Sequence, residues 1–214
     1  MEQFVEYSNR EEWLNARNKS LGASEVASAI GIGFTSQLDL WKEKTGRKER
    51  SDLSSNERVQ YGTNAEEQIR NLFALQFKDK YEVEYHAFRV YKHATHEFLT
   101  ATLDGELTRK SDGKRGIWEC KTAWIISKAD FDKWSNNSIP QHYFCQVIEQ
   151  LGVTGYEFIV LTAQLIFQDG NSEIRHYTIE RNEVEADIKY ITTEAAKFWR
   201  YVQANKEPPQ RLTL

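Results

Sequence analysis

The chain has 214 residues, 40% of them hydrophobic, with 28 Lys and Arg against 32 Asp and Glu and a formal net charge of -4. That is enough apolar material for one compact domain, and the acidic balance argues against a protein that coats nucleic acid without selectivity. No window approaches the roughly 18 apolar residues of a membrane span, and MEQFVEYSNREEW is no signal peptide, so a cytoplasmic protein with no membrane partner is expected.

Residues 10–18 predict a short helix with Trp13, Leu14 and Ala16 inward and Ser8 or Asn9 as N-cap. A glycine turn at Gly22 opens into a second helix through Ile30. Its free N–H groups suit a phosphate, with Ser24 as donor and Arg17 reaching across; alternatively Ser24 only caps the helix and Arg17 is a solvated charge. A helix over 37–45 stops at Gly46. Residues 47–56 form a polar loop whose Arg47, Lys48 and Arg50 are expected to be solvated.

A longer helix is expected over 57–77, with Ala65, Ile69, Leu72, Phe73 and Leu75 or Phe77 at helical spacing. Glu66 borders that stripe, while Glu67 points to solvent. Glu66 either completes an acidic cluster or forms a plain i,i+4 pair with Arg70. Strands are expected over 81–90, 97–103, 106–108 and 116–122, with an exposed basic hairpin tip at 109–115. A short helix over 128–134 precedes one introduced by Pro140, in which Gln146 and Gln150 form a polar stripe on an otherwise buried face. The nearly continuous apolar run 157–167 predicts a central strand that pairs with 172–179, and a final helix covers 182–205 before the tail Pro208-Pro209-Gln210-Arg211. The order of elements gives an α/β or α+β fold with a mixed central sheet flanked by helices.

The two cysteines, Cys120 and Cys145, make no C-x-x-C pair, and the five histidines make no H-E-x-x-H pattern, which excludes a soft-metal site of known spacing. The chemistry concentrates instead in Thr100-Ala101-Thr102-Leu103-Asp104-Gly105-Glu106-Leu107 and Gly116-Ile117-Trp118-Glu119-Cys120-Lys121. Each sets a charged group among hydrophobic residues, where an unpaired carboxylate costs several kcal/mol. Period two puts Glu119 and Lys121 on one face of their strand and Trp118 and Cys120 on the other. An Asp at the end of the neighbouring strand can then meet both. Such hard oxygens beside an ammonium suit a divalent ion and metal-assisted phosphodiester hydrolysis; a surface hairpin with a salt bridge is the bland alternative.

The ordered set Arg17, Gly22-Ala23-Ser24-Glu25, Gly62 with Glu66, Leu103-Asp104-Gly105, Glu119-Cys120-Lys121 and Gln146-Val147 with Gln150-Leu151 resembles the YqaJ-like viral recombinase family. The lambda-type phage exonuclease is related to that family, within the PD-(D/E)XK nuclease superfamily. The resemblance covers about Trp13 to Tyr156. It implies a single nuclease domain over 1–214 with a restriction-endonuclease-like fold, its core at 13–156 and its C-terminal strands and helix at 157–205.

By position, the resemblance implies that Asp104, Glu119 and the Cys120 carbonyl ligate Mg²⁺, for which Mn²⁺ substitutes, with Glu66 completing the cluster. Lys121 would orient and help deprotonate the attacking water or steady charge on the phosphate. Gln146 would hold water or a DNA phosphate, and Arg17, Ser24 and Thr102 would bind a 5′-terminal phosphate. Leu103 stands where the superfamily name puts proline, a position with no ligand role. The implied activity is a 5′→3′ exonuclease on double-stranded DNA ends, making 3′ overhangs for a single-strand annealing protein. A homotrimeric ring and a phage- or prophage-encoded protein in the bacterial cytoplasm go with it. Another PD-(D/E)XK endonuclease and a catalytically silent DNA-end-binding protein are the competing readings.

Overall fold

The computed structural model describes residues 3–209. In chain order these form β1 (Gln3–Glu6), α1 (Arg10–Asn18), β2 (Leu21–Gly22), α2 (Ala23–Ala29), α3 (Gln37–Lys44), α4 (Glu57–Gln76), β3 (Tyr81–Glu84), β4 (Arg89–Lys92), β5 (Leu99–Ala101), β6 (Gly105–Arg109), β7 (Arg115–Ile125), α5 (Lys128–Asp132), α6 (Gln141–Thr154), β8 (Phe158–Phe167), β9 (Ser172–Glu180) and α7 (Glu185–Gln203). The tail residues Gln210 and Arg211 lie outside the described residues.

The mixed α/β class expected from the sequence is found, with two mixed sheets where one was foreseen. One has the order β3-β6-β7-β8-β9 and the other β1-β4-β5-β2. In the larger sheet β7 and β8 run parallel, which requires the crossover through α5 and α6, and the other pairs are antiparallel. The stretch 81–90 is not one strand. Its first half pairs with β6, whereas its second half crosses to the smaller sheet and pairs with β1 and β5. The alternation runs on through 85–88 with no Gly, Pro, Asn or Asp to mark the break, so hydrophobic period could not reveal it.

The larger sheet is covered on both faces. Ile117, Leu161, Ala163 and Leu165 join α2, α6 and α7 in the main core. Trp118, Cys120, Phe158 and Val160 pack with Ile69 and Phe73 of α4 and with Tyr81. On α4 the buried apolar set is therefore narrower than the spacing predicts, because Leu72 and Leu75 are exposed. The basic loop after α3 is tied down: the Arg47 guanidinium lies 4.5 Å over the Trp41 ring, Lys48 bonds Asp39, and Arg50 is 3.4 Å from Glu25. At the 109–115 tip, Arg109 is engaged by Asp112 and Glu180, and Arg115 by Glu106.

Candidate active site

Strand pairing builds the floor of the site. Gly105 of β6 faces Trp118 of β7, which brings Asp104, in the bend just before β6, beside Cys120. The Cys120 backbone N–H donates to Asp104 Oδ2 at 2.8 Å. One residue along, Glu119 is 1% exposed and turns to the α6 side. There Gln146 and Gln150, one helical turn apart, donate to its two oxygens at 2.5 and 2.6 Å, and Lys121 donates to it from its own strand. The polar stripe on α6 thus faces the acidic cluster.

The third carboxylate arrives on α4. Burial of Ile69 and Phe73 against β7 fixes that helix, and its approach is close: a Cβ at Gly62 would sit 3.0 Å from Thr122 Oγ1. Glu66, half-buried, lies at the edge of this contact. Arg70 donates to Glu66 Oε1 at 3.2 Å, the plain i,i+4 pair, and to the Asp104 carbonyl at 2.8 Å, so one guanidinium bridges the helix and the strand end.

Negative charge is in excess here. Burial, with Glu119 and Glu66 nearby, raises the Asp104 carboxyl well above the usual range, and burial raises Glu66 as well. Burial alone would depress Lys121, but Glu119 and Asp104 outweigh it and hold the ammonium above the ordinary lysine range. In this setting Lys121 is a donor, and a poor base.

Glu66, Asp104, Glu119, Cys120, Lys121, Gln146, Arg17, Ser24 and Thr102 all line one cleft of about 920 Å³. Ser24 does not cap α2 and Arg17 is not a solvated surface charge, as the alternative to an anion site would have them. The N-cap of α2 is Gly22, whose N–H donates to the Glu25 carboxylate at 2.9 Å, leaving Ser24 exposed in the cleft wall. Arg17 is half-buried with its guanidinium 4.4 Å over the Trp13 ring, and burial lowers its pKa. Thr102 is half-buried, and its carbonyl accepts from Gln150 at 3.3 Å. Phe34, Arg58, Trp124, Lys133 and His142 also line the cleft. No spacing rule marks them, since they come from loops and element ends that meet only in the fold.

The donor set fits a hard divalent cation. Asp104 and Glu119, a strand carbonyl and Glu66 nearby supply hard oxygens, with the Asp104 charge left uncompensated, and an ion that keeps its waters needs no complete protein cage. Among the described residues no three Asp, Glu, His or Cys side chains come close enough to form such a cage.

The helix-flanked sheet with its parallel β7–β8 pair is a mixed α/β fold that solved exonucleases share. The structure is similar to the alkaline exonuclease of Laribacter hongkongensis, with a TM-score of 0.68 and 19% identity over 92% of this chain and 94% of that one. The same enzyme in complex with dAMP aligns with a TM-score of 0.67 and 22% identity over the same shares. A phage-related exonuclease from Haemophilus somnus 129PT aligns with a TM-score of 0.56 and 15% identity, over 87% of this chain and 96% of that one. Residues 12–157 match the YqaJ-like viral recombinase domain, and the chain belongs to that family. The uncharacterized protein YqaJ of Bacillus subtilis (strain 168) is 28% identical over 192 residues, 89% of this chain. The chain spans about half the length of that relative, 56% of it. Among the described residues no helix is long and apolar enough to cross a membrane.

Proposed function

We propose that the protein is a metal-dependent deoxyribonuclease, a 5′→3′ exonuclease that degrades one strand of linear double-stranded DNA and leaves 3′ overhangs. The observation that carries this reading is the convergence of Asp104, Glu119 and Lys121 at the floor of a cleft in which the Asp104 carboxylate lacks enough positive charge. Family membership and the likeness to alkaline and phage-related exonucleases support it.

Asp104, Glu119 and the Cys120 carbonyl would hold Mg²⁺ or Mn²⁺, with Glu66 beside them; such an ion supplies Lewis-acid charge to the scissile phosphate. Lys121 steadies negative charge on that phosphate and orients the attacking water. Gln146 and Gln150 keep the Glu119 carboxylate in place, and their amide donors compensate its burial. Arg17 and Ser24, with Thr102, receive the 5′-terminal phosphate. A partly dry site whose charges are fixed before substrate arrives needs little reorganisation in the transition state, which is where most of the acceleration originates.

The same reading makes residues 1–214 one nuclease domain that works in the bacterial cytoplasm on behalf of a phage or prophage. It hands its 3′ overhangs to a single-strand annealing protein and encircles the duplex as a trimer. The test is digestion of linear duplex with 5′-phosphate, linear duplex with 5′-hydroxyl and closed circular DNA, each with Mg²⁺ or EDTA, with Lys121→Ala as control. Metal-dependent loss of linear DNA alone, fastest with 5′-phosphate, is the expected result. Cutting of the circle would reassign the protein as an endonuclease. Binding of DNA ends without turnover would make it an end-binding protein.

A further inference from the structure

Phe34 is 85% exposed, the most exposed of the large hydrophobic residues among those described, and it lines the rim of the cleft that holds the acidic cluster. It sits in the short connection between α2 and α3. That connection is held down: Gly31 has φ +90°, the Ile32 N–H donates to the Ala27 carbonyl at 2.9 Å, and the Thr35 N–H donates to Ser28 Oγ at 3.3 Å. Gly33 lies so near α2 that a Cβ would come within 2.4 Å of the Ser28 backbone nitrogen. The backbone on each side is thus pinned to α2 while the ring is turned outward. The ring meets His142 edge-on at 4.3 Å, at the start of the helix that carries Gln146.

An exposed aromatic ring on the wall of a cleft that also carries Arg17 and Ser24 offers a face on which a planar group can stack. We propose that Phe34 is a nucleobase-stacking residue, which receives a base of the DNA strand whose 5′-phosphate lies on Arg17 and Ser24 of the same cleft wall. This rests on the nuclease reading above and adds to it a contact with the base. A ring face binds any base, so the contact is sequence-tolerant and stronger for purines, which offer more surface. Phe34 also borders a side pocket of about 190 Å³ beside Ser28, Arg50 and Ser51, giving a base on Phe34 room to leave the helical stack.

The test is equilibrium binding of a fluorescent, 5′-phosphorylated duplex in EDTA, comparing wild type with Phe34→Ala, Phe34→Leu and Phe34→Trp. Two duplexes are used, one with an ordinary 5′-terminal nucleotide and one with an abasic 5′ end. Because the side chain is exposed, all three variants should fold, which their thermal melts would verify. On the ordinary end Phe34→Ala and Phe34→Leu should bind about tenfold more weakly and Phe34→Trp as well as wild type or better. On the abasic end all four proteins should bind alike. Equal binding of the ordinary end by wild type and Phe34→Ala overturns the inference, and so does an equal loss on both ends, which would mean a contact other than stacking. Absence of DNA binding by wild type overturns it too. Hydrolysis of linear duplex with Mg²⁺, run in parallel, shows separately whether the nuclease reading stands.

Discussion

Asp104 and Glu106 stand two residues apart, Glu106 buried and Asp104 half-buried at the cleft floor, and their carboxyl groups are shifted in opposite directions. For Glu106, burial alone would raise the pKa. Hydrogen bonds from Tyr91 and Tyr156 and the guanidinium groups of Arg115 and Arg89 outweigh it and hold the carboxyl below its usual range. For Asp104, burial is joined by the charges of Glu119 and Glu66, and one backbone N–H with one nearby ammonium does not compensate. The first carboxylate is complete and ties the two sheets together, since Tyr91 and Arg89 belong to the smaller sheet and Glu106 to the larger. The second is incomplete, and a group with unmet electrostatic demand in an open cleft is a site.

The largest effect that sharpens this contrast is expected from Asp104→Asn. Turnover of linear duplex should fall by about 10³-fold or more. The urea midpoint should hold or rise, because a carboxyl whose pKa is raised by folding withholds stability above that pKa and returns it as pH falls toward the ordinary aspartate value of 3.8. A large drop in urea midpoint would place Asp104 with Glu106 as a structural carboxylate. Glu106→Gln should do the reverse. It removes the negative charge on which Tyr91, Tyr156, Arg89 and Arg115 converge, although Arg89 keeps Glu6, and costs roughly 3–5 kcal/mol in urea unfolding, with turnover per folded molecule little changed. Since the Glu106 pKa is depressed, wild type should lose its advantage over this variant as pH falls through the folded-state value.

Glu149 of α6 extends the comparison to a carboxyl that faces no cleft. It is fully buried against α7, accepts one long hydrogen bond from Thr192 at 3.5 Å, and burial pushes its pKa up to about 8. Ionisation is suppressed in the fold, so this group withholds increasing stability from near its ordinary pKa of 4.5 up to about 8. Glu149→Gln should therefore stabilise the protein by roughly 2–4 kcal/mol at pH 8 and by almost nothing near pH 4, measured as unfolding free energy against pH. The smallest effect is expected from Glu66→Gln. Arg70 already offsets part of this charge, so turnover should drop by roughly tenfold and stability should change by no more than about 0.5 kcal/mol.

Local pattern carried most of the secondary structure, and it did so where the physical signal is short-range. Asn9 caps α1, Gly46 with φ +71° ends the α3 segment, and the alternation across 116–122 puts Trp118 and Cys120 on the face opposite Glu119, as period two requires. Isolated charges in apolar strands marked Asp104, Glu119 and Lys121. Pairing partners were illegible: β1 and β2 are too short to stand out, and the two halves of 81–90 differ only in which sheet receives them. Glu106 carries the same local signal as Asp104, a carboxylate between hydrophobic residues. Its two tyrosines and two arginines come from three separate places in the chain, β4, the start of β7 and the turn after α6, so no window reveals that it is already satisfied.

The sequence by itself determined the residue types of the candidate chemistry, the mixed α/β class and the family, because these rest on periodicity and on ordered motifs within single elements. Only the tertiary structure decided which buried carboxylate is compensated and which is left wanting, and that Phe34 stands at the rim of the same cleft. Electrostatic balance depends on distances among groups far apart in the chain, and those distances exist only once the sheets and helices have packed.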